Sequence, residues 1–345
     1  SYMKKFKLGF GPMSREIINI LGSYSNDNNY PLMVIASRNQ VDHSSGYVCT
    51  TPELVEDLKE FKNDNLLICR DHCGPYFADL DLGATLEQAL ASSKQTIKAD
   101  IESGFDLIHI DVSRIKENQL YYAELLIEYA LGLKPDLYLE FGSEDNTGID
   151  VTSSIGRIDK QLKFLQKYKN NVKFFVTQTG SLTKNNQAGT FDINFNKKTV
   201  KQVHAAGFLF KEHNADYFTK DDLDKRTLAG IDSLNIAPQL GKIQTETLKE
   251  FAHPNHWEDF SNYVYSKNYW RRWLPSGITD QDMATLVSGH YCYQGSKYNK
   301  IVNNIDLDKF KDSLAKKVNN LVDNYTQFGQ KPKTVGKIVV DSVVK

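Results

Sequence analysis

The sequence predicts a (β/α)8 barrel, a closed ring of parallel strands inside a ring of helices, followed by a mostly helical appendage. Three observations carry that prediction. Short apolar runs alternate with longer stretches of helical period, which is the pattern of βαβ units. Eight such units fit into about 250 residues with crossovers of ordinary length. No dinucleotide-binding fingerprint follows the first run, since Gly9-Phe10-Gly11 lacks the third glycine, and this argues against a doubly wound open sheet.

The first strand is read at Lys7-Leu8-Gly9-Phe10, and Ser14 then caps a helix carrying Ile17, Ile18, Ile20 and Leu21. The second runs from Leu32 to Ala36, after which Thr51 is the expected cap and Pro52 the first helical residue of a helix with Leu54, Leu58 and Phe61. Leu66 to Cys69 is the third strand, followed by a helix from about Thr85 to Ser103 that Gly104 stops. The fourth, Leu107-Ile108-His109-Ile110, precedes a helix with Leu120, Leu125, Leu126 and Tyr129. The fifth spans Leu137 to Phe141 with a helix near Ile155 to Tyr168, and the sixth Val172 to Val176 with a short helix near Thr199 to Ala205. Phe208-Leu209-Phe210 is the seventh, with a helix from about Thr219 to Leu228; Ile231 to Ile236 is the eighth, with a last helix near Thr245 to Phe251. The barrel is therefore placed at residues 1–252 and the helical appendage at 253–345, its tail after Lys331 being partly strand-like.

The chain has 345 residues, 42 Lys+Arg against 43 Asp+Glu, and 40% hydrophobic side chains. This is the balance of a globular protein, not of a disordered one. A net charge of −1 gives no field that would gather nucleic acid or an anionic membrane, so neither is expected as a partner. Cys49, Cys69, Cys73 and Cys292 are too sparse for a disulfide framework. The start, Ser1-Tyr2-Met3-Lys4-Lys5, has no apolar signal core, and no run reaches the ~18 apolar residues of a membrane span, which together predict a cytoplasmic protein.

Barrel enzymes carry their chemistry where strands end. Here those positions read Ser37-Arg38-Asn39-Gln40, Arg70-Asp71-His72, Asp111 with Ser113, Glu140 with Glu144 and Asp145, Gln178-Thr179-Gly180, Lys211-Glu212-His213-Asn214, and Asn235. Carboxylates, imidazoles and amides converging from separate strands make either a metal site or an acid/base pocket. His109, inside the fourth run, reads as a satisfied core histidine. His43, His253, His256 and His290 read as surface or packing residues, with His290 or Tyr291 able to reach the site from the appendage. The cluster of Trp257, Tyr263, Tyr265, Tyr269, Trp270 and Trp273 reads as core packing, and the stretches Lys184-Asn185-Asn186 and Lys197-Lys198 as solvated loop.

Several stretches resemble a known family. Ser37-Arg38-Asn39-Gln40-Val41-Asp42, Gly46-Tyr47, Thr51-Pro52, Asp71-His72-Cys73-Gly74-Pro75, and Gly104 through Asp111 are similar to the Z-type (GatZ/KbaZ-like) subunits of D-tagatose-1,6-bisphosphate aldolase. Glu140 to Glu144, Glu212 to Tyr217, Tyr269-Trp270 and Ser288 to Tyr291 extend the likeness in the same order along the chain. That family resembles the class II, metal-dependent ketose-bisphosphate aldolases. The resemblance implies that Asp71 is the proton-transfer aspartate, His72 the first zinc ligand and His213 the last, with Asp111 and Asn235 near the substrate. The sequence departs from the class II pattern in two places. No histidine follows the sixth strand, where Val176-Thr177-Gln178-Thr179-Gly180 stands, and Asn214 replaces a glycine after the seventh.

The expected metal set is therefore His72, His213 and Glu140, with the Gln178 amide oxygen, around Zn2+, or else Mn2+ or Co2+. Asp71 and Glu140 are the expected catalytic groups, and Arg38, Asn39, Gln40, Arg70, Asp111, Lys211 and Asn235 the expected substrate contacts. The function expected is a class II-type aldolase acting on a ketose or ketose phosphate through a metal-stabilised enediolate. Two alternatives stand beside it: a sugar epimerase or isomerase using the same site, and a non-catalytic subunit of an aldolase complex. The partners expected are a sugar or sugar phosphate, and a second copy of the chain or an aldolase subunit.

Overall fold

Eight parallel strands close on themselves in the computed structural model, which describes residues 1–144, 151–179 and 190–330. They are β1 (Leu8–Phe10), β2 (Leu32–Ala36), β3 (Leu66–Cys73), β4 (Leu107–Ile110), β5 (Tyr138–Gly142), β6 (Val172–Val176), β7 (Leu209–Glu212) and β8 (Ser233–Ile236). Each pairs with its neighbours in sequence, and β1 seals the ring against β8 with Gly9 opposite Asn235. A short ladder, Val41–Asp42 with Cys49–Thr50, stands in the loop after β2. The barrel is the predicted one. No helix among the described residues is long and apolar enough to cross a membrane.

The helices between strands are α1 (Arg15–Asn28), α2 (Thr51–Leu58), α3 (Leu86–Ser103), α4 (Gln119–Leu133), α5 (Val151–Leu165), α6 (Ile193–Ala205), α7 (Lys220–Ala229) and α8 (Pro238–Phe251). Ser14 caps α1 as expected, and Thr85 and Thr219 close capping boxes with Gln88 and Asp222. Gly104 ends α3 at φ 102°, a left-handed conformation that favours glycine. One cap differs from the reading. Thr50, not Thr51, caps α2, because its hydroxyl accepts from Glu53 N while Glu53 reaches back to the Thr50 N–H. α6 and α8 begin earlier than expected; Asp192 supplies a side-chain cap for α6, and Pro238 opens α8. Lys197 and Lys198 are exposed on α6 rather than in a loop. Asp145, Gly180, Lys184 to Asn186 and the tail after Lys331 lie outside the described residues.

Strand alternation divides the core in two. Residues facing outward, such as Leu8, Phe10, Val34, Ile68, Ile108, Phe210 and Leu234, join the helices in the main apolar layer. Inward-facing Met33, Ile35, Leu67, Cys69, Leu107 and Phe174 fill the barrel with Met3 and Phe6. The polar inward residues sit beyond that plug, toward the carboxyl ends of the strands.

The appendage comprises α9 (Pro254–Ser266), α10 (Gln281–Ser288), α11 (Ser296–Val302) and α12 (Leu307–Tyr325). Side-chain hydrogen bonds fasten it to the barrel. Tyr298 accepts from Gln244, Tyr293 bonds Thr245, and Tyr325 accepts from Phe218 N while its own hydroxyl donates to Ala215 O. Trp257 and Trp270 are buried and Tyr265 stacks on Trp270, so these three are packing, while Tyr263 and Tyr269 are exposed.

Candidate functional site

β3 outlasts its apolar run and continues to Cys73, so Asp71 and His72 lie within the strand. Arg70 pairs with Ile108 and Cys73 with Ile110, so β3 carries one residue more than β4 between these pairs. That extra residue is a bulge, and His72 sits in it at φ 41°. Regular alternation would turn two consecutive residues to opposite faces. The bulge lets Asp71 and His72 both look into the mouth of the barrel, and Gly74 follows where a Cβ would strike Asp111 O.

His109 joins them from β4 because it shares the inward face with Leu107, and His213 arrives two residues after inward-facing Lys211. Asp71 Oδ1 lies 3.9 Å from His72 Nε2, 3.7 Å from His109 Nδ1 and 3.8 Å from His213 Nδ1. These four ligand-capable atoms all fall within 4.8 Å of one another.

Each imidazole is anchored through its other nitrogen. His72 Nδ1 meets Asp111 Oδ2 at 2.8 Å, His109 Nε2 donates to Gly142 O at 2.6 Å, and His213 Nε2 meets Glu140 Oε1 at 2.7 Å. Glu140 also takes Lys211 Nζ at 2.6 Å, and that lysine is buried over the Phe174 ring. Glu144 accepts from His213 N at 2.7 Å and from Asn214 Nδ2 at 3.1 Å, fixing the start of the loop after β7. Asn214 takes φ 53°, so asparagine here keeps the left-handed turn that glycine would adopt.

Charge follows from this packing. Burial alone would raise the Asp71 carboxyl, but His72, His213 and His109 outweigh it and hold the group well below the carboxylate range. Burial likewise opposes ionisation of Glu140, yet Lys211, His109 and His213 bring it down to about 2. For His72, burial lowers basicity while Asp71 and Asp111 raise it, with the net at about 9. His213 moves down because burial dominates. Burial, then the Glu212 charge, push Glu144 well up. His213 Nδ1 and His72 Nε2 face each other at 3.1 Å, so a proton or a cation must lie between two ring lone pairs.

Residues 14–126 match the family described as D-tagatose-1,6-bisphosphate aldolase subunit GatZ/KbaZ-like. That match spans about a third of the chain. The fold is similar to that of a probable tagatose 6 phosphate kinase from Sinorhizobium meliloti 1021, at 16% identity and a TM-score of 0.74, covering 93% of this chain and 99% of that one. A fructose-bisphosphate aldolase from Campylobacter jejuni matches at 14% identity and a TM-score of 0.58, over 95% and 92% of the two chains. These likenesses show the same barrel fold.

The fold does not bring all the expected residues together. Arg70 points outward and is bound bidentately to Asp100 on α3, both fully buried. Arg38 is buried too, donating to Thr96, Gly74 O, Asp81 and Ser92. Neither guanidinium offers its fork to a substrate, which corrects the expectation for both. Asn39 bonds Asp79, and Gln40 bonds Ser37 and Met13, so both brace the loop after β2. Gln178 is half-buried on the segment following β6. Asp111 and Lys211 stand behind the cluster, on His72 and Glu140. Glu140 also stands behind His213, with both oxygens engaged there.

Asn235 is buried at the end of β8 with both amide atoms unpartnered. His109, read as a core histidine, is buried and hydrogen-bonded through both ring nitrogens, Nε2 to Gly142 O and Nδ1 accepting from His72 N at 3.2 Å, and that second nitrogen also borders the cluster. Its place two residues after Leu107 on an inward face was the signal in the sequence.

Proposed function

We propose that the protein is a metal-dependent, class II-type aldolase, a lyase that acts on a ketose or ketose phosphate through an enediolate. The observation that carries this is the anchoring of His72 by Asp111 and of His213 by Glu140, which turns the other nitrogen of each toward Asp71, with His109 Nδ1 beside them accepting from His72 N. Metal-binding histidines are held in this way, with the second ring nitrogen on a carboxylate or carbonyl. His72 Nε2 and His213 Nδ1 are nitrogen donors suited to Zn2+, with Mn2+ and Co2+ as alternatives, and His109 Nδ1 would join them by giving up the His72 N–H, which leaves Asp71 for proton transfer. His109 would take the place of the imidazole that is missing after β6.

A divalent ion there supplies Lewis-acid stabilisation of negative charge on the substrate's carbonyl and adjacent hydroxyl oxygens. Asp71, kept ionised by its imidazole neighbours, moves the proton at the hydroxyl of the carbon–carbon bond being broken or formed. Asn235 gives its free amide to a substrate hydroxyl, which donates and accepts as both orphaned atoms require. Glu140 and Asp111 orient His213 and His72, and Lys211 keeps Glu140 ionised.

The matched family is described as a subunit, so a partner aldolase subunit, or a second copy of the chain, belongs to the same proposal. A cytoplasmic location does as well, in keeping with four free, buried cysteines.

The test is metal analysis of the purified protein, followed by NMR in D2O with ketoses and ketose phosphates. Bound divalent ion and cleavage products are expected, with Asp71→Asn and His72→Ala each lowering turnover ~10²-fold or more. Near-normal turnover in both variants would overturn the assignment. Deuterium incorporation with inversion and no cleavage would identify an epimerase instead.

A further inference from the structure

Of the three imidazoles, His72 is the least enclosed. Its side chain is 27% exposed, against 1% for His109 and 3% for His213, since it stands in the bulge near the end of β3. The hydrogen bond from Asp111 holds Nδ1, but one bond at one ring atom leaves the ring plane free to tilt, and the torsion that tilts it is a broad one for histidine. His109 and His213 meet this ring at 51° and 85°, so neither lies flat against it. Phe77 does, its ring stacked on the imidazole with centroids 5.2 Å apart and planes within 10°.

Phe77 is half-buried in the loop after β3, and the residues around it fix its place. Arg114, from the loop after β4, packs its guanidinium 4.2 Å from the centre of the Phe77 ring and donates from Nη1 to Tyr76 O at 2.8 Å. Tyr76 takes φ 70°, a left-handed conformation that is rare for a bulky side chain. Its N–H donates to Asp81 Oδ2 at 3.0 Å, and the buried Arg38 holds Asp81. An unfavourable backbone conformation secured from both sides sets the direction of the next residue, which is Phe77.

We propose that Phe77, clamped by Arg114, is a positioning residue that fixes the tilt of the His72 imidazole and so keeps Nε2 directed into the cluster. The purpose of that tilt rests on the metal-dependent reading, while the tilt itself is readable with no metal bound.

The experiment uses the full chain as wild type, Phe77→Leu, which keeps an apolar side chain but has no flat face, Phe77→Tyr, which keeps the face, and Arg114→Gln at an exposed position. Melting temperatures confirm folding. NMR of the metal-free proteins with labelled histidine, the His72 signals being assigned by their loss in His72→Asn, reads the ring. One sharp set is expected in wild type and Phe77→Tyr, and split or exchange-broadened His72 signals in Phe77→Leu, with His109 and His213 unmoved. Titration with Co2+, followed by its visible absorption, should show affinity ~10-fold or more weaker and an altered band shape in Phe77→Leu, both restored in Phe77→Tyr.

A single sharp His72 set in Phe77→Leu, or split signals in wild type, overturns the positioning role whatever the affinities are. Should Phe77→Leu not fold, wild-type signals in Arg114→Gln overturn it. If wild type binds no Co2+, or if the His72 signals split in Phe77→Leu with no change in affinity, the positioning role stands while the assignment of His72 as a metal ligand falls.

Discussion

Replacing Glu140 by glutamine separates the structural from the chemical duty of the barrel interior. The substitution keeps volume, but it removes the negative charge that lies 2.6 Å from Lys211 Nζ and 2.7 Å from His213 Nε2. Lys211 is fully buried, so it would be left as an uncompensated charge, a defect that costs ~3–5 kcal/mol. For a chain of this size that is a fall in Tm on the order of 5 °C. Loss of the carboxylate behind His213 also weakens metal affinity ~10- to 100-fold, the usual effect of removing a partner one step behind a ligand.

The double variant Glu140→Gln with Lys211→Met removes the stranded charge and should recover most of the melting temperature. It should not recover metal affinity, because His213 still lacks its carboxylate. Scanning calorimetry of the metal-free proteins and competition with a chelator for Zn2+ read the two effects. If affinity returns together with stability in the double variant, or falls less than twofold in Glu140→Gln, then Glu140 does not orient a ligand.

Asp100→Ala strands the buried Arg70 guanidinium and should cost ~3–5 kcal/mol of stability with KM for any substrate unchanged; a raised KM in the folded variant would restore Arg70 as a substrate contact. Asp216 accepts from Ala237 N and Gln239 N at the start of α8, yet burial pushes its carboxyl from 3.8 to about 7. Its folded-state pKa is the higher one, so the folded state holds the proton more tightly, and its contribution is full below about pH 4 and lost as pH rises through about 7. Asp216→Asn should remove that slope, at most ~1.4 kcal/mol per pH unit. Melting curves from pH 5 to 8 with a constant wild-type-to-variant difference would refute it.

The barrel was legible because its signals are local. Leu107–Ile110 and Val172–Val176 are apolar runs with polar boundaries, and both match the observed strands residue for residue. The end of β3 was not legible, since Arg70, Asp71 and His72 continue the ladder after the apolar run has stopped, and a bulge leaves no mark in composition. Arg38 and Arg70 looked like strand-end cations, but their partners Asp81 and Asp100 lie 43 and 30 residues away, and only the closed fold shows which face they take. His109 looked like core, which it is; that its Nδ1 borders the cluster depends on Gly142 O, which holds Nε2 from a neighbouring strand, and on the His72 N–H it accepts. Asp71, His72 and His213 were visible because carboxylate and imidazole side by side at a strand end have few purely structural uses.

The bulge at His72 also limits how such a site can be moved or lost. Grafting Asp-His onto a regular strand of another barrel would deliver only one of the two groups to the interior, so a design must import the local backbone as well as the side chains. By the same token, deleting Asp71 or His72, the two residues between Arg70 and Cys73, would restore an even ladder with β4 and leave the barrel closed, with a single residue of the pair left facing inward. A lineage could thus retire the chemistry of this chain in one step and keep its scaffold.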